Sequence, residues 1–251
     1  MLLGLSRDRI PAYVSVSSGY YIDGERVADL LADVRMHVDA GFSAIKIKVG
    51  GIDLDEDEER LAAIRTEFGS DVVLMADANN AWKNVKDAID PVRRFETHNI
   101  YWLEEPLHPD DVEGHARLTS HIDTRIATGE IEATRWGFRP LIEQQAADVL
   151  QPDAAVAGGV SEWQKIANAA AMWDLPVAPH WFADLHVHCC CAAPNASWLE
   201  YFGDSRVLNI MKLFRTQLKV KEGEAFLPFE PGLGIELDSD AVDRFSVDPW
   251  S

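Results

Sequence analysis

Cysteine is confined to one contiguous triplet, Cys189, Cys190 and Cys191, in a chain of 251 residues. Neighbouring cysteines do not readily bridge one another, so a disulfide framework is excluded and a reducing, cytoplasmic setting is the expectation. No run of about 18 apolar residues occurs, which excludes a spanning helix. The opening residues from Met1 to Arg7 lack a basic segment followed by an apolar one, so no secretory signal is expected. Positive charge is scarce: 23 Lys and Arg stand against 42 Asp and Glu, a formal net charge of -19. Such a surface repels phosphate backbones and anionic bilayers, so neither nucleic acid nor membrane is expected as a partner. A high-salt habitat would also produce this total.

The acid is spread along the chain, with one cluster at Asp53, Asp55, Glu56, Asp57, Glu58 and Glu59. It reads as the solvated start of a helix, where carboxylates suit the macrodipole. His186 and His188 precede the cysteines and leave two readings, a metal nest or small thiols buried on a helix. The buried helix is the simpler.

What is present is ordinary for a soluble globular chain, with 47% hydrophobic and 26% charged residues. Short apolar β-type runs recur at Ala12–Ser17, Ala44–Val49, Val72–Ala76, Ile100–Leu103, Arg125–Ala127, Ala147–Leu150, Pro176–Ala178 and Ser197–Leu199. Amphipathic stretches separate them, among them Glu25–Ala40, Glu56–Phe68, Lys86–Thr97, Val112–Ser120 and Glu162–Trp173. Gly41 and Gly69 follow two of these as helix stops, and Pro91 is expected to kink or break the third. Hairpin signals are missing, so the strands should be parallel with crossover helices. Eight such units in this length predict an α/β fold, a (β/α)8 barrel.

The strand ends are polar where buried strands should be apolar. Lys48, Asp77, Glu104, Glu130, Asp153, His180 and Glu200 follow one another at intervals of 20 to 29 residues, about one βα unit each. In a barrel such residues converge on the C-terminal mouth. Asp77, Glu104 and Glu130 would repel one another without a cation, and as a trio of carboxylates they suit Mg2+, which takes oxygen ligands. Glu105, by strand alternation, should point away from Glu104 and act behind it. Lys46 and Lys48 share a strand face. Side by side, two ammonium groups depress each other's pKa, which would make one a base near neutrality; the plainer alternative is a solvated edge. Asp153 ends the strand before His180 and can hold its imidazole in one tautomer.

The ordered set Lys46-Ile-Lys48, Asp77-Ala-Asn79, Trp102-Leu-Glu104-Glu105-Pro106, Gly129-Glu130, Asp153 with Gly158-Gly159-Val160, His180 and Trp198-Leu-Glu200 resembles the mandelate racemase group of the enolase superfamily. The match runs from about Arg9 to Glu200, and then through the segment holding Pro231-Gly-Leu-Gly234. The resemblance implies abstraction of the proton alpha to a carboxylate, with a Mg2+-stabilised enediolate. It implies Asp77, Glu104 and Glu130 as metal ligands and Lys48 as one base. Lys46 would tune Lys48 and contact the substrate carboxylate, and Asn79 would be a further polar contact. Asp153 and His180 would act on the opposite face, and a protonated Glu200 would hydrogen-bond the substrate. His186 could add a contact, although core packing is the simpler role.

Two bases allow dehydration of a sugar acid to a 2-keto-3-deoxy acid, or racemisation or epimerisation of a 2-hydroxy acid. The segment from His180 to His188 resembles the dehydratases. Members of the superfamily carry an N-terminal capping domain. Here residues 1–10 read as a lead-in, 11–207 as the barrel and 208–251 as a closing segment, which leaves no room for that cap. A third reading is therefore a truncated, inactive barrel that still binds metal. Apolar surface on the tail would favour a homo-oligomer.

Overall fold

The computed structural model describes residues 2–21 and 26–247, and the expected helix start at Glu25 falls outside them. Strand β1 (Arg9–Ser15) opens a ring of parallel strands: β2 (Ala44–Lys48), β3 (Val73–Asp77), β4 (Trp102–Glu104), β5 (Arg125–Thr128) and β6 (Val149–Leu150). The expected run Pro176–Ala178 is reduced to parallel bridges from Val177 to Leu150 and Ala196. Strand β7 (Leu199–Tyr201) then returns to pair β1, which completes the (β/α)8 circuit. The tail adds a hairpin, β8 (Val220–Lys221) and β9 (Glu224–Phe226), which pairs antiparallel with the first half of β1.

Helices α1 (Val27–Asp39), α2 (Leu54–Phe68), α3 (Val85–Glu96), α4 (Val112–Thr119), α5 (Thr134–Glu143), the single turn α6 (Ala154–Ala157), α7 (Val160–Ala171) and α8 (Ala183–Ala192) cross between the strands, and α9 (Ser239–Phe245) lies in the tail. Helix α3 runs unbroken through Pro91, contrary to expectation. The Pro91 ring is buried with Val85, Ala88, Val92 and Phe95 on the core-facing side, so packing of that face offsets the missing backbone donor. The acidic start of α2 is only partly solvated: Asp57 is buried and accepts from Gly50 N–H, the Tyr21 hydroxyl and Arg60. Asp53 caps α2 by accepting from Asp55 N–H at 2.9 Å. Asp53→Ala should cost about 1 kcal/mol, read as a lower urea midpoint with unchanged slope. Cys189, Cys190 and Cys191 lie buried and unbridged on α8, as the simpler reading has it. No helix among the described residues is long and apolar enough to cross a membrane.

Strand alternation divides the interior in two. Residues facing the helices form the larger apolar core, including Ile45, Ile47, Leu74, Ala76 and Leu103. Those facing the lumen form a smaller cluster of Tyr13, Ala44, Met75, Trp102, Ala127, Val149 and Ala178, with Tyr13 and Trp102 edge to face at 5.3 Å. Two residues further along the same strands stand Ser15, Lys46, Asp77, Glu104 and Glu200. The period of two therefore sets a polar layer directly on an aromatic floor.

Candidate active site

Register brings these groups to one end of the ring in a staggered layer. Lys48 is opposite Asp77, and Asp77 is opposite Glu104. Lys46 is buried, and its Nζ donates to both Glu104 oxygens at 2.7 and 2.8 Å, with Glu200 Oε1 at 2.9 Å and Asp77 Oδ2 at 3.4 Å. Lys48 Nζ donates to Asp77 Oδ2 at 2.5 Å and lies 4.9 Å from the centre of the Tyr20 ring. Across the mouth, His180 Nδ1 donates to Asp153 Oδ2 at 3.0 Å, and its Nε2 stands 3.7 Å from Glu130 Oε2. A cavity of about 300 Å3 is lined by Lys48, Asp77, Asn79, Glu130, His180 and Glu200, among others. Larger cavities of about 410 and 550 Å3 lie beside the tail, but no such convergence of acids and bases lines them.

Most of the expected site residues are thus brought together, but their charge states differ from expectation. Burial opposes the charge on both Lys46 and Lys48, and the Lys46 ammonium opposes it on Lys48 as well. The surrounding carboxylates outweigh them, Glu104 and Glu200 for Lys46 and Asp77 for Lys48, so both pKa values are raised rather than depressed. Glu200 is not the protonated acid expected. Burial opposes its charge, but Lys46, His180 and the Ser15 hydroxyl hold its pKa down at about 2. It accepts from Ser15 Oγ at 2.5 Å and from Trp181 N–H at 2.7 Å. Burial, and then Asp77, push Glu104 well up.

Glu105 stands one residue past its strand. Strand β4 ends at Glu104, and Glu105 takes a left-handed φ of 39°, so alternation no longer governs it. Both its carboxylate oxygens are buried without a hydrogen-bond partner, and burial, Glu130 and Asp77 raise its pKa to about 8. Other left-handed residues, Asn79, Asn80, Trp181 and Phe182, also follow strand ends at this mouth. Such strain gathers where geometry serves function.

His186 is fully buried behind the dyad and does not line the cavity. Its Nε2 accepts from Ala154 N–H at 2.9 Å and its Nδ1 donates to the Trp181 carbonyl at 3.1 Å, which sets the tautomer. Trp163 Nε1 donates to the Pro152 carbonyl at 2.8 Å, so the backbone on both sides of Asp153 is held. Tyr20, Ser15 and Trp181 were not foreseen. Of these only Ser15 had a sequence signal, its i, i+2 relation to the lumen residue Tyr13.

Burial opposes the charged His180 ring, yet Asp153, Glu200 and Glu130 push its pKa up to about 9. In EDTA the ring should titrate near pH 9 by NMR, and Asp153→Asn should move it back toward 6.5. Since the folded value lies above the unfolded one, this stabilisation is complete below about pH 6.5 and lost as pH rises through about 9.

Asp77, Glu104, Glu105, Glu130, Asp153 and Glu200 outnumber Lys46, Lys48 and His180, and the orphaned Glu105 oxygens show where balance is missing. An oxygen-seeking divalent cation fits this donor set. The expected tight trio is not formed by the side chains themselves. Asp77, Glu104 and Glu130 are not drawn within 4.8 Å of one another, because like charges separate and the Lys46 ammonium lies against both Asp77 and Glu104.

The family model for enolase C-terminal domain-like proteins matches residues 29–241. The chain is 38% identical to an L-talarate/galactarate dehydratase of Salmonella typhimurium over 240 residues, 96% of this chain and 58% of that protein. It is 34% identical to an arabinonate dehydratase of Saccharolobus solfataricus, over 97% of this chain and 65% of that one. Among solved structures, an L-talarate dehydratase from Polaromonas complexed with Mg and L-glucarate superposes with a TM-score of 0.87 at 36% identity, covering 96% of this chain and 65% of its own. A racemase from Streptomyces coelicolor with bound magnesium reaches 0.89 at 30% identity, covering 98% and 66%. The chain thus spans less than two thirds of the length of its first two curated relatives.

Proposed function

Since the chain belongs to the enolase C-terminal domain-like family, we propose that it serves the Mg2+-dependent dehydration of an acid sugar to a 2-keto-3-deoxy acid. The observation that carries this reading is one cavity lined by the Lys48 amine, the Asp153-held His180 imidazole and a set of carboxylates. Asp77, Glu104 and Glu130 would hold Mg2+, which would supply positive charge to stabilise the substrate carboxylate. Lys48, at the cavity end of β2, takes the proton from the carbon alpha to the acid group. Lys46 and Asn79 hold the substrate's polar groups. His180, cationic beside Asp153, donates its proton to the β-hydroxyl as the carbon–oxygen bond breaks, so water leaves. The enol then becomes the keto acid as its O–H proton is lost to solvent and the former β-carbon takes one up. Glu200, accepting from Ser15, Lys46 and Trp181, fixes the wall between the two bases.

Racemisation uses the same groups, with His180 returning its proton to carbon, and the structural likeness to a magnesium-binding racemase favours it as the second reading. Incubation with Mg2+ and a library of acid sugars, read for 2-keto acid and for epimers, decides between them. Keto acid supports dehydration, and epimer alone replaces it with racemisation. Mg2+ binding with no turnover on any acid overturns both, in favour of a metal-binding barrel without activity.

A further inference from the structure

A second group of ligand atoms lies outside the cavity, between helix α1 and the loop after β7. Asp33 and His37 are one helical turn apart and share a face of α1 that points inward, 6% and 4% exposed. Asp204 reaches them from the β7 loop, and one ligand atom from each of the three lies within 4.8 Å of the other two. Gly203 makes this approach possible. A Cβ there would come within 2.3 Å of His37 Cε1, so any side chain would collide with the imidazole.

Two atoms in this group have no hydrogen-bond partner: Asp33 Oδ1 and His37 Nε2. They face each other at 3.5 Å. A neutral imidazole with its proton on Nε2 faces Asp33 Oδ1 only at 3.5 Å, too long to satisfy either atom well, and a buried orphan costs about 1–3 kcal/mol. An ion pair with a protonated His37 is the plain answer, but 3.5 Å is long for one, and burial lowers the pKa of this ring. The other carboxylate oxygens are already in use. Asp33 Oδ2 accepts from Ser18 N–H at 3.0 Å and from Arg206 Nη2 at 2.6 Å. Asp204 Oδ1 accepts from Ser17 Oγ at 2.7 Å and Arg206 N–H at 2.8 Å, and its Oδ2 takes the Arg206 guanidinium at 2.7 and 3.0 Å. These bonds hold both carboxylates in place and leave Asp33 Oδ1 directed at the imidazole.

We propose that Asp33, His37 and Asp204 form a site for one borderline divalent ion of the Zn2+ type, distinct from the carboxylates of the cavity. Imidazole nitrogen and carboxylate oxygens bind Zn2+ at about 2.0–2.2 Å, so ligand atoms on one ion stand about 4 Å or less apart, a small contraction from the spacing here. The mixed nitrogen and oxygen set selects against Mg2+, which takes oxygen. Among the described residues, the two carboxylates exceed the one guanidinium by a single negative charge, which a divalent ion reverses. Asp204 lies between Phe202 and Val207, both of which line the cavity, so the ion staples a wall of that cavity to α1.

The test is Zn2+ binding by equilibrium dialysis with Mg2+ in excess, together with long-range nitrogen NMR of the histidine rings. The expected result is one Zn2+ retained per chain and a coordination shift at His37 Nε2. Asp204→Asn and His37→Gln should each weaken retention by at least about tenfold, the least that loss of even an outer partner costs a metal site. Asp77→Asn should leave it intact. No retained Zn2+, retention lost with Asp77→Asn but kept with Asp204→Asn, or a His37 ring protonated on both nitrogens with Zn2+ present would each overturn the site. If His37→Gln fails to fold, the partly exposed Asp204→Asn variant and the wild-type NMR decide.

Discussion

Lys48→Ala and His180→Asn will each lower turnover by about 10²–10⁴-fold, the usual worth of a positioned acid or base, with KM changed far less. Neither side chain supports the barrel. Lys48 is the outermost residue of β2 and its ammonium meets one carboxylate, while His180 sits at the rim with its ring pinned to Asp153. Their loss should therefore be seen in kcat. The two variants also separate the steps. Without Lys48, exchange of the substrate's alpha proton with solvent deuterium should stop. Without His180 it should persist while water elimination fails, because the first carbon–hydrogen bond is broken from the Lys48 side. An alanine at 48 that exchanges at the wild-type rate would remove Lys48 from the scheme, and a fully active asparagine at 180 would remove the dyad.

Lys46→Ala should be the most destabilising change at the mouth, by about 3–5 kcal/mol, because it leaves buried carboxylates without their cation. Lys46 Nζ holds Glu104 through two hydrogen bonds and Glu200 through an ion pair, and all three residues are almost wholly excluded from solvent. Urea unfolding should give a lower midpoint with an unchanged slope. Lys46→Met, which keeps the stem, should lose nearly as much, and added Mg2+ should recover part of the loss in both. The sign with pH follows from Glu200, whose folded pKa is depressed from 4.5 to about 2. Its stabilisation is present above about pH 4.5 and lost as pH falls toward 2, so the gap between wild type and variant should narrow across that window. A variant as stable as wild type at neutral pH would mean that the carboxylates carry no charge there.

Much of this site was legible in the chain because its placement depends on local rules. Alternation puts Lys46 and Lys48 on one face. Repetition of one βα unit brings Asp77, Glu104 and Glu200 to the same end of the ring, with Asp77 opposite Glu104. Gly41 and Gly69 ended their helices as read, with φ of 95° and 65°. Errors began where a neighbour came from another strand. The lysines were judged against each other, when Asp77 and Glu104 from β3 and β4 set their charge. Pro91 was judged by helix propensity, when burial of its face decided the outcome.

The amino-acid order by itself determined the parallel βα succession and the polar strand ends, since both follow from periods of two and 3.6 residues and from unit length. Only the tertiary structure decided which charges are shared. Glu200 is ionised because Ser15 and Lys46 converge on it, and Asp33 meets Arg206 across 173 residues of chain. Electrostatic energy depends on distance in space and on exclusion of water, and neither quantity exists until the ring has closed.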